Sequence, residues 1–363
     1  MDPGHAMFSE TLKAAARPAK YFVKLEPDEL GVKIRCRLCP RECVIREGEM
    51  GYCGVRGVLD GELVTFIWGR PSSIAVDPVE KKPLYHFHPG SLVLSLGTIG
   101  CNFRCKHCQN WTISMADADS AGFRLLESEP IEPSALVEIC RRHGATGVSF
   151  TYNEPTIWME YVLDTFHYFR EHTDYYTCLV TNAFISPEPL EDVLQVTDAY
   201  RADLKTIRPE NLVKMAEYNH PEKVLETIAR VAKSGVHLEV VTNIVTNWND
   251  SEEEIREMAE WMADNVPLDT PWHFTRYFPH NEYREDATPV ATLRFAERIA
   301  RERGFKFVYL GNLPGADGDT TCPKCGQTLI SRAGYSARIL VDEPRCPACG
   351  EPLRSLVLPE RKN

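Results

Sequence analysis

The chain has 363 residues, 43% of them hydrophobic, which is enough for one large folded core with smaller attachments. A formal net charge of −11 argues against a nucleic acid or an anionic membrane as the main partner, because both select clustered Lys and Arg side chains. The sequence shows neither the apolar segment of a secretory signal nor a stretch of roughly 18 apolar residues that could span a membrane. We therefore predict a cytoplasmic protein.

The 13 cysteines are grouped along the chain. Eleven of them fall into three clusters, and only Cys140 and Cys178 stand alone. Short spacings of this kind indicate metal ligation, whereas disulfide frameworks are typical of small secreted domains. We therefore expect the clustered cysteines to bind metal.

The first cluster follows an N-terminal segment, residues 1–35, and defines a four-cysteine module over residues 36–70. Its cysteines are Cys36, Cys39, Cys43 and Cys53. Four thiolates suit either zinc or a second four-iron cluster. The uneven C-x2-C-x3-C-x9-C spacing is no common ferredoxin run, which favours zinc. If the module holds an iron-sulfur cluster instead, that cluster would relay electrons inward.

After a connection over residues 71–90, short β-rich runs alternate with helical stretches from residue 91 to residue 318. Such alternation indicates parallel strands joined by crossover helices. The predicted strands cover residues 92–96, 148–152, 176–181, 199–204, 238–245, 272–275 and 306–310. Roughly seven βα units predict an α/β fold with a partial (β/α) barrel of the TIM type. In such barrels, ligands bind at the carboxyl ends of the strands.

The second cysteine cluster lies directly after the first predicted barrel strand. Cys101, Cys105 and Cys108 have the spacing C-x3-C-x2-C, which supplies thiolates for three corners of a [4Fe-4S] cubane. The next cysteine, Cys140, falls within a predicted helix, so one iron would stay open to another ligand. The alternative is a structural zinc ion bound by the three cysteines and His107.

This loop resembles the signature of the radical S-adenosylmethionine (radical SAM) superfamily. The resemblance implies that the open iron chelates the amino and carboxylate groups of S-adenosylmethionine. It also implies that one electron, from a reductant such as ferredoxin or flavodoxin, cleaves the cofactor to a 5′-deoxyadenosyl radical that abstracts hydrogen from a substrate. The protein would contribute placement, electronic tuning and the exclusion of side reactions.

The resemblance also assigns polar residues at the ends of the next three strands to the cofactor. Asn153 and Glu154 stand where related enzymes often carry a Gly-Gly-Glu-Pro-like element that holds the cofactor's ammonium group. Only the Glu-Pro half is present here, and the alternative role of Glu154 is a helix cap. The other predicted cofactor residues are Thr181, Asn182, Asp203 and Lys205.

Asp203 and Lys205 resemble the Asp-x-Lys element of the glycyl-radical-enzyme activases. Because side chains alternate along a strand, both should lie on one face. If that face is the barrel lumen, the pair would contact the ribose and carboxylate of the cofactor. Otherwise it is an ordinary ion pair within the strand.

The third cysteine cluster lies in a C-terminal segment, residues 319–363. Its two C-x2-C pairs are Cys322 with Cys325 and Cys346 with Cys349. This spacing predicts a zinc ribbon in which the metal contributes much of the folding free energy. A rubredoxin-like iron site for electron delivery would use the same ligands.

Three short motifs sharpen the resemblance: EKKPLYHF at residues 80–87, CQNW at 108–111 and GNLPG at 311–315. Together they resemble the radical enzyme of the AmmeMemoRadiSam system, over nearly everything from about residue 30 to residue 355. The resemblance implies association with an AMMECR-type protein and a Memo-type protein, and a distant relation to pyruvate formate-lyase activating enzymes. It implies no particular substrate.

Three functions are therefore open at this stage. The first is a radical SAM enzyme that acts on a small molecule or on a residue of a partner protein. The second is an activase that installs a glycyl radical in a large partner enzyme. The third is a non-catalytic iron-sulfur and zinc protein that transfers electrons.

Overall fold

The computed structural model describes residues 8–29, 31–118, 123–313, 315 and 318–359. The predicted terminal segments therefore extend beyond the described residues at 1–7 and 360–363, and Pro314 of the GNLPG motif also lies outside them. None of the helices in these ranges has the length and apolar character needed to cross a membrane.

The strands and helices of the described residues follow the chain in a regular order. The strands are β1 (Arg17–Pro18), β2 (Phe22–Asp28), β3 (Gly31–Cys36), β4 (Val44–Arg46), β5 (Arg56–Leu59), β6 (Glu62–Thr65), β7 (Ser73–Pro78), β8 (Leu92–Gly97), β9 (Gly147–Phe150), β10 (Tyr176–Thr181), β11 (Ala199–Asp203), β12 (His237–Ile244), β13 (Trp272–Arg276), β14 (Val308–Gly311), β15 (Thr320–Thr321), β16 (Thr328–Ala333) and β17 (Ser336–Ile339). The helices are α1 (Glu10–Ala15), α2 (Trp111–Ser114), α3 (Phe123–Leu126), α4 (Pro133–His143), α5 (Met159–His172), α6 (Pro187–Leu194), α7 (Pro209–Ala216), α8 (Glu222–Ser234), α9 (Glu252–Asn265) and α10 (Val290–Glu302).

The main sheet contains β7 to β14 in sequential order. Strands β8 to β14 run parallel, each beside the next in the chain, and β7 pairs antiparallel with β8 at one edge. Helices lie in each crossover between the parallel strands, as expected for a right-handed succession of βα units. The seven parallel strands confirm the predicted α/β fold and the partial TIM-type barrel.

The barrel strands form where the sequence has short apolar runs, because parallel strands are covered on both faces. All six residues of β10 are buried, as are all four of β9. The second predicted strand ends two residues early, at Phe150, because Tyr152 takes a positive φ of 72° and turns the chain away from the sheet. This turn begins the loop that carries Asn153 and Glu154.

Three smaller antiparallel sheets flank the barrel. Strands β1, β6 and β5 form one, β2, β3 and β4 form a second, and β15, β16 and β17 form the C-terminal sheet. The second sheet brings Cys36, at the end of β3, close to Cys43, whose carbonyl oxygen accepts a hydrogen bond from the Cys36 N–H at 2.9 Å. In the chain, β16 and β17 of the C-terminal sheet lie between the two cysteine pairs of the third cluster.

A buried polar cluster joins the connection before the barrel and the C-terminal segment to strands β12, β13 and β14. The Glu239 carboxylate accepts hydrogen bonds from the His86 backbone N–H at 2.7 Å and pairs with His273 at 2.7 Å. The His86 ring contacts the hydroxyls of Tyr309 at 2.6 Å and Ser355 at 2.9 Å. These contacts fix the connection before the barrel and the segment after it to the same strands.

Candidate active site at the carboxyl ends of the strands

A cavity of about 630 Å³ lies where the loops after the parallel strands converge. All nine residues predicted for the radical cluster and its cofactor line it: Cys101, Cys105, Cys108, Asn153, Glu154, Thr181, Asn182, Asp203 and Lys205. The structure therefore brings these residues together, and their individual roles stay predictions. This convergence follows from the fold, because the carboxyl ends of parallel strands meet at one end of a barrel.

The cysteine loop is shaped by a close backbone approach at its first residue. Gly100 has φ of 83°, and a Cβ atom there would lie 2.5 Å from the carbonyl oxygen of Cys53. Glycine therefore fits this position both by conformation and by space. Further along, the Phe103 N–H donates to the Cys101 Sγ at 3.4 Å, and the Cys108 N–H donates to the Cys105 carbonyl at 3.0 Å.

The donor set of this loop fits an iron-sulfur cluster better than a single zinc ion. A tetrahedral zinc site needs closely spaced ligands, because each Zn–S bond is only about 2.3 Å long. Among the described residues, the one group of Cys, His, Asp or Glu side chains that meets this requirement is the C-terminal one, and the loop cysteines are not in it. Wider spacing suits a cubane, in which each thiolate binds a different iron.

His107, the fourth ligand of the zinc alternative, is buried within the loop. Its ring packs edge-on against Trp248 and Tyr277, and its Nδ1 has no hydrogen-bond partner among the described residues. Burial lowers the pKa of His107 to about 3, so the ring is neutral at pH 7. The residue lines the cavity beside the three thiols.

Glu154 is buried and hydrogen-bonded on both oxygens. Oε1 accepts from the Thr156 N–H at 2.9 Å and from the Thr181 hydroxyl at 2.6 Å, and Oε2 accepts from the Asn182 N–H at 2.8 Å. The first of these contacts caps the 3-10 turn Pro155–Trp158, so Glu154 makes the contact of the capping alternative, and its role toward the cofactor stays a prediction. Burial raises the pKa of Glu154. A cation in the cavity would favour the ionised carboxylate.

Asn153 and Asn182 act on the cysteine loop through hydrogen bonds of their own. The Asn153 side chain accepts from the Thr98 N–H at 3.1 Å and donates to the Gly100 carbonyl at 2.8 Å. Asn182 donates to the Asn102 side chain at 2.8 Å. Both amides therefore hold the segment around Cys101, in addition to lining the cavity.

Asp203 and Lys205 line the cavity, as expected if their face of the strand is the barrel lumen. They also form an ion pair at 3.0 Å, which is the contact expected from the alternative of an ordinary ion pair. Arg201, two residues earlier on β11, is a second partner of Asp203 and was not predicted. Burial lowers the pKa of Arg201 to about 10. The alternation of Arg201 with Asp203 and Lys205 is the signal that could have identified it.

The connection before the barrel also reaches the cavity, which the sequence did not indicate apart from the EKKPLYHF motif. Lys82 is 3% exposed, lies 4.5 Å above the Tyr152 ring and pairs with Asp77 at 2.7 Å. The Tyr152 hydroxyl donates to the same carboxylate at 2.6 Å. Burial opposes ionisation of Asp77, but hydrogen bonds from Lys81 and Lys82 hold its pKa well below the usual range.

The C-terminal cysteines form a compact group of four. The ligand atoms of Cys322, Cys325, Cys346 and Cys349 all lie within 4.8 Å of one another. The sulfurs of Cys322 and Cys349 are 3.6 Å apart, and so are those of Cys325 and Cys346. This geometry can hold one tetrahedral metal ion.

Comparison with known proteins agrees with this site. The sequence model of the radical SAM superfamily matches residues 96–262, which include the cysteine loop and strands β9 to β12. The uncharacterized protein MJ0808 of Methanocaldococcus jannaschii is 39% identical over 340 residues, which cover 92% of this chain and 98% of that protein. The chain belongs to the radical SAM superfamily.

The solved structures that are similar to this chain include the following two, both of low sequence identity. A domain of a pyruvate-formate lyase-activating enzyme from Bacteroides vulgatus is 18% identical, covers 46% of this chain and 100% of its own, and has a TM-score of 0.40. A radical SAM methyltransferase from Sphaerobacter thermophilus is 13% identical, covers 88% of this chain and 86% of its own, and has a TM-score of 0.46.

Proposed function

We propose that this protein is a radical SAM enzyme that cleaves S-adenosylmethionine reductively at a [4Fe-4S] cluster held by Cys101, Cys105 and Cys108. One observation carries the proposal. Within the described residues, these three cysteines and no fourth line the cavity that also contains Glu154 and the polar ends of β10 and β11. A three-cysteine site leaves one coordination position for the cofactor.

When bound, the cluster and S-adenosylmethionine supply the electron transfer and the radical that removes hydrogen from a substrate. The protein's residues bind and orient. Glu154 offers a desolvated carboxylate to the ammonium group of the cofactor, while Thr181 and the Asn182 N–H hold that carboxylate in place. Asp203 and Lys205, which line the same cavity, would contact the ribose and carboxylate of the cofactor.

Several finer assignments belong to the same proposal. The EKKPLYHF, CQNW and GNLPG motifs support membership of the AmmeMemoRadiSam group, with an AMMECR-type protein and a Memo-type protein as partners. A cytoplasmic ferredoxin or flavodoxin would supply the electron. The compact C-terminal cysteines support a structural zinc ion at that site.

The test is cofactor cleavage by anaerobically reconstituted protein. With S-adenosylmethionine and a strong reductant, we expect 5′-deoxyadenosine and a four-iron cluster visible by electron paramagnetic resonance. A variant with Cys101, Cys105 and Cys108 replaced by alanine should lose that cluster and all cleavage, and should keep zinc at the C-terminal site.

Cys140→Ala is the matched control, because Cys140 is buried on α4 and lies away from the cavity. It should retain cluster and cleavage. If the triple variant instead loses zinc and no iron, the loop is a structural zinc site. If reconstituted protein cleaves no cofactor, the proposal of a radical SAM enzyme is wrong.

A further inference from the structure

The N-terminal cysteines form a second group of thiols near the radical loop. Cys36 and Cys53 are buried, whereas Cys39 and Cys43 are partly exposed. Cys36 and Cys53 belong to the main hydrophobic core, and Cys39 and Cys43 pack against that same core. A group of this kind is a metal site in a protein whose remaining cysteine clusters are also ligand sets.

Backbone hydrogen bonds fold the segment that carries these cysteines. The Cys36 N–H donates to the Cys43 carbonyl oxygen at 2.9 Å, and the Glu42 N–H donates to the Cys39 carbonyl oxygen at 3.1 Å. These contacts bring the first three cysteines of the group together.

The spacing of the sulfurs separates this group from the C-terminal one. The ligand atoms of the C-terminal cysteines lie within 4.8 Å of one another, a spacing that suits one tetrahedral ion. Within the described residues, no three of the N-terminal cysteines have sulfur atoms that all lie within 4.8 Å of one another. In this respect the N-terminal group matches the radical loop, whose thiolates bind separate irons. The geometry therefore disfavours the zinc that the sequence spacing favoured.

The group is also in direct contact with the radical loop. The Cys53 carbonyl oxygen lies so close to Gly100 that the Cα atoms of Cys53 and Cys101 are within about 10 Å of each other. Arg41, between Cys39 and Cys43, donates to the Asn102 carbonyl at 2.6 Å. In return, Arg104 donates to the carbonyl of Tyr52 at 2.9 Å. The backbone at Cys53 therefore lies against the loop that holds Cys101.

We propose that Cys36, Cys39, Cys43 and Cys53 hold a second iron-sulfur cluster, which passes electrons to the cluster at Cys101, Cys105 and Cys108. A one-electron donor of the flavodoxin or ferredoxin class reduces the second cluster at the side of Cys39 and Cys43. That cluster is oxidised again as the electron moves on, past Cys53, to the first cluster. The relay rests on the proposed radical SAM function, whereas the second cluster itself does not.

The first experiment tests whether the second cluster exists, independently of the electron relay. Anaerobically reconstituted protein without the three loop cysteines should retain about half of the iron and sulfide of the full set. Its reduced form should give an electron paramagnetic resonance signal that S-adenosylmethionine does not change, because all four ligands come from the protein. Stoichiometric zinc at the N-terminal group, with iron sufficient for only one cluster in the unaltered protein, would overturn the proposal without touching the radical SAM function.

The second experiment tests whether the second cluster passes electrons to the first. Cys39→Ser/Cys43→Ser should remove the second cluster and abolish reduction by flavodoxin, while dithionite still drives 5′-deoxyadenosine formation. Cys140→Ala is the matched control and should behave as the unaltered protein with both reductants. If the double variant loses the second cluster but accepts electrons from flavodoxin at the unaltered rate, the relay is wrong. Should the double variant fold poorly, the metal analysis of the unaltered protein still decides whether the second cluster exists.

Discussion

The two four-cysteine regions differ in how they are joined to the barrel. The C-terminal region has a small hydrophobic core of its own, which also includes Tyr309 of β14 and the preceding Phe307, with Tyr85 packed against it. The N-terminal cysteines Cys36 and Cys53 instead belong to the main core, together with Cys101 and Phe103 of the radical loop. Within the described residues, the four C-terminal sulfurs lie within 4.8 Å of one another, and no three of the N-terminal sulfurs do.

This difference shows that the number of cysteine ligands does not define the role of a metal site. A self-contained unit with four close sulfurs needs its metal mainly for folding, as small zinc modules do. A set of thiols that shares a core with the radical loop would instead act together with that loop, as we propose for the N-terminal cysteines. The following predictions test this distinction, from the largest expected effect to the smallest.

The largest effect should come from removing the C-terminal ligands. Replacement of Cys322, Cys325, Cys346 and Cys349 by serine should release about one zinc ion per chain, and structural zinc is worth on the order of 10 kcal/mol in small zinc peptides. We expect the C-terminal region to unfold while the separate barrel core stays folded. Metal analysis and calorimetry would show this as loss of one unfolding transition.

The same variant should keep the radical cluster and bind S-adenosylmethionine. The Cys140→Ala protein is again its control. If the zinc-free variant loses its iron as well, or unfolds as a whole, the C-terminal region is not self-contained. Iron in place of zinc at this site would identify it as a rubredoxin-like centre.

Glu154 tests whether cofactor binding belongs to the barrel. Glu154→Gln removes a desolvated charge opposite the cofactor's ammonium group, and a charge-assisted contact is worth about 1.5–3 kcal/mol. The dissociation constant for S-adenosylmethionine should therefore rise by roughly tenfold to a hundredfold. Titration of the cofactor against the reduced, cluster-loaded variant measures this change.

The control for this variant is Glu138→Gln, whose side chain is 60% exposed on α4. It should leave affinity and thermal stability unchanged. Unaltered affinity with lowered thermal stability in Glu154→Gln would mean that the residue only caps the turn after β9 and braces β10.

Acid should loosen the C-terminal attachment before the N-terminal one. Burial lowers the pKa of His86 to about 3, whereas an unfolded histidine has a pKa of about 6.5. Between these values the unfolded chain binds a proton that the folded chain does not, so the stability present above pH 6.5 falls by at most about 1.4 kcal/mol per pH unit on acidification. The N-terminal attachment instead uses Arg41 and Arg104, which donate to the backbone carbonyls of Asn102 and Tyr52, so these two contacts contain neither a histidine nor a carboxylate.

Denaturant unfolding between pH 7 and 4 would measure this slope. His86→Asn should be less stable at pH 7 and should show a shallower dependence on pH. The control His172→Asn, at an exposed position on α5, should keep the original slope. Equal slopes in the unaltered protein and in His86→Asn would show that another group is responsible.

The smallest effect should follow loss of one contact between the N-terminal module and the radical loop. Arg41→Ala removes the hydrogen bond to the Asn102 carbonyl and the stacking on the Tyr52 ring, whose centroid is 3.4 Å from the guanidinium carbon. We expect a loss of about 1–2 kcal/mol in unfolding free energy. The exposed Arg141→Ala on α4 should change stability by less than about 0.5 kcal/mol. An equal change in both variants would mean that this contact does not stabilise the junction.

Much of the barrel was predictable because buried parallel strands need continuous apolar runs. The apolar residues of β8 to β14 gave the count and order of the strands, and their ends gave the cavity residues Glu154, Thr181 and Asp203. The spacing of Cys101, Cys105 and Cys108 likewise indicated a three-thiolate site. Arg201 was missed although its alternation with Asp203 was visible, because the sequence alone does not show which face of the sheet a charged residue within a strand occupies.

Only the tertiary structure decided which distant segments meet. It placed Lys82 and Asp77 against Tyr152, brought His86 to Tyr309 and Ser355, and set Cys53 against Gly100. It also distinguished the two four-cysteine regions by the distances between their sulfurs. The sequence determined local geometry because periodicity and ligand spacing act over a few residues. Contacts between segments tens to hundreds of residues apart depend on how the sheets and loops pack, which no local pattern records.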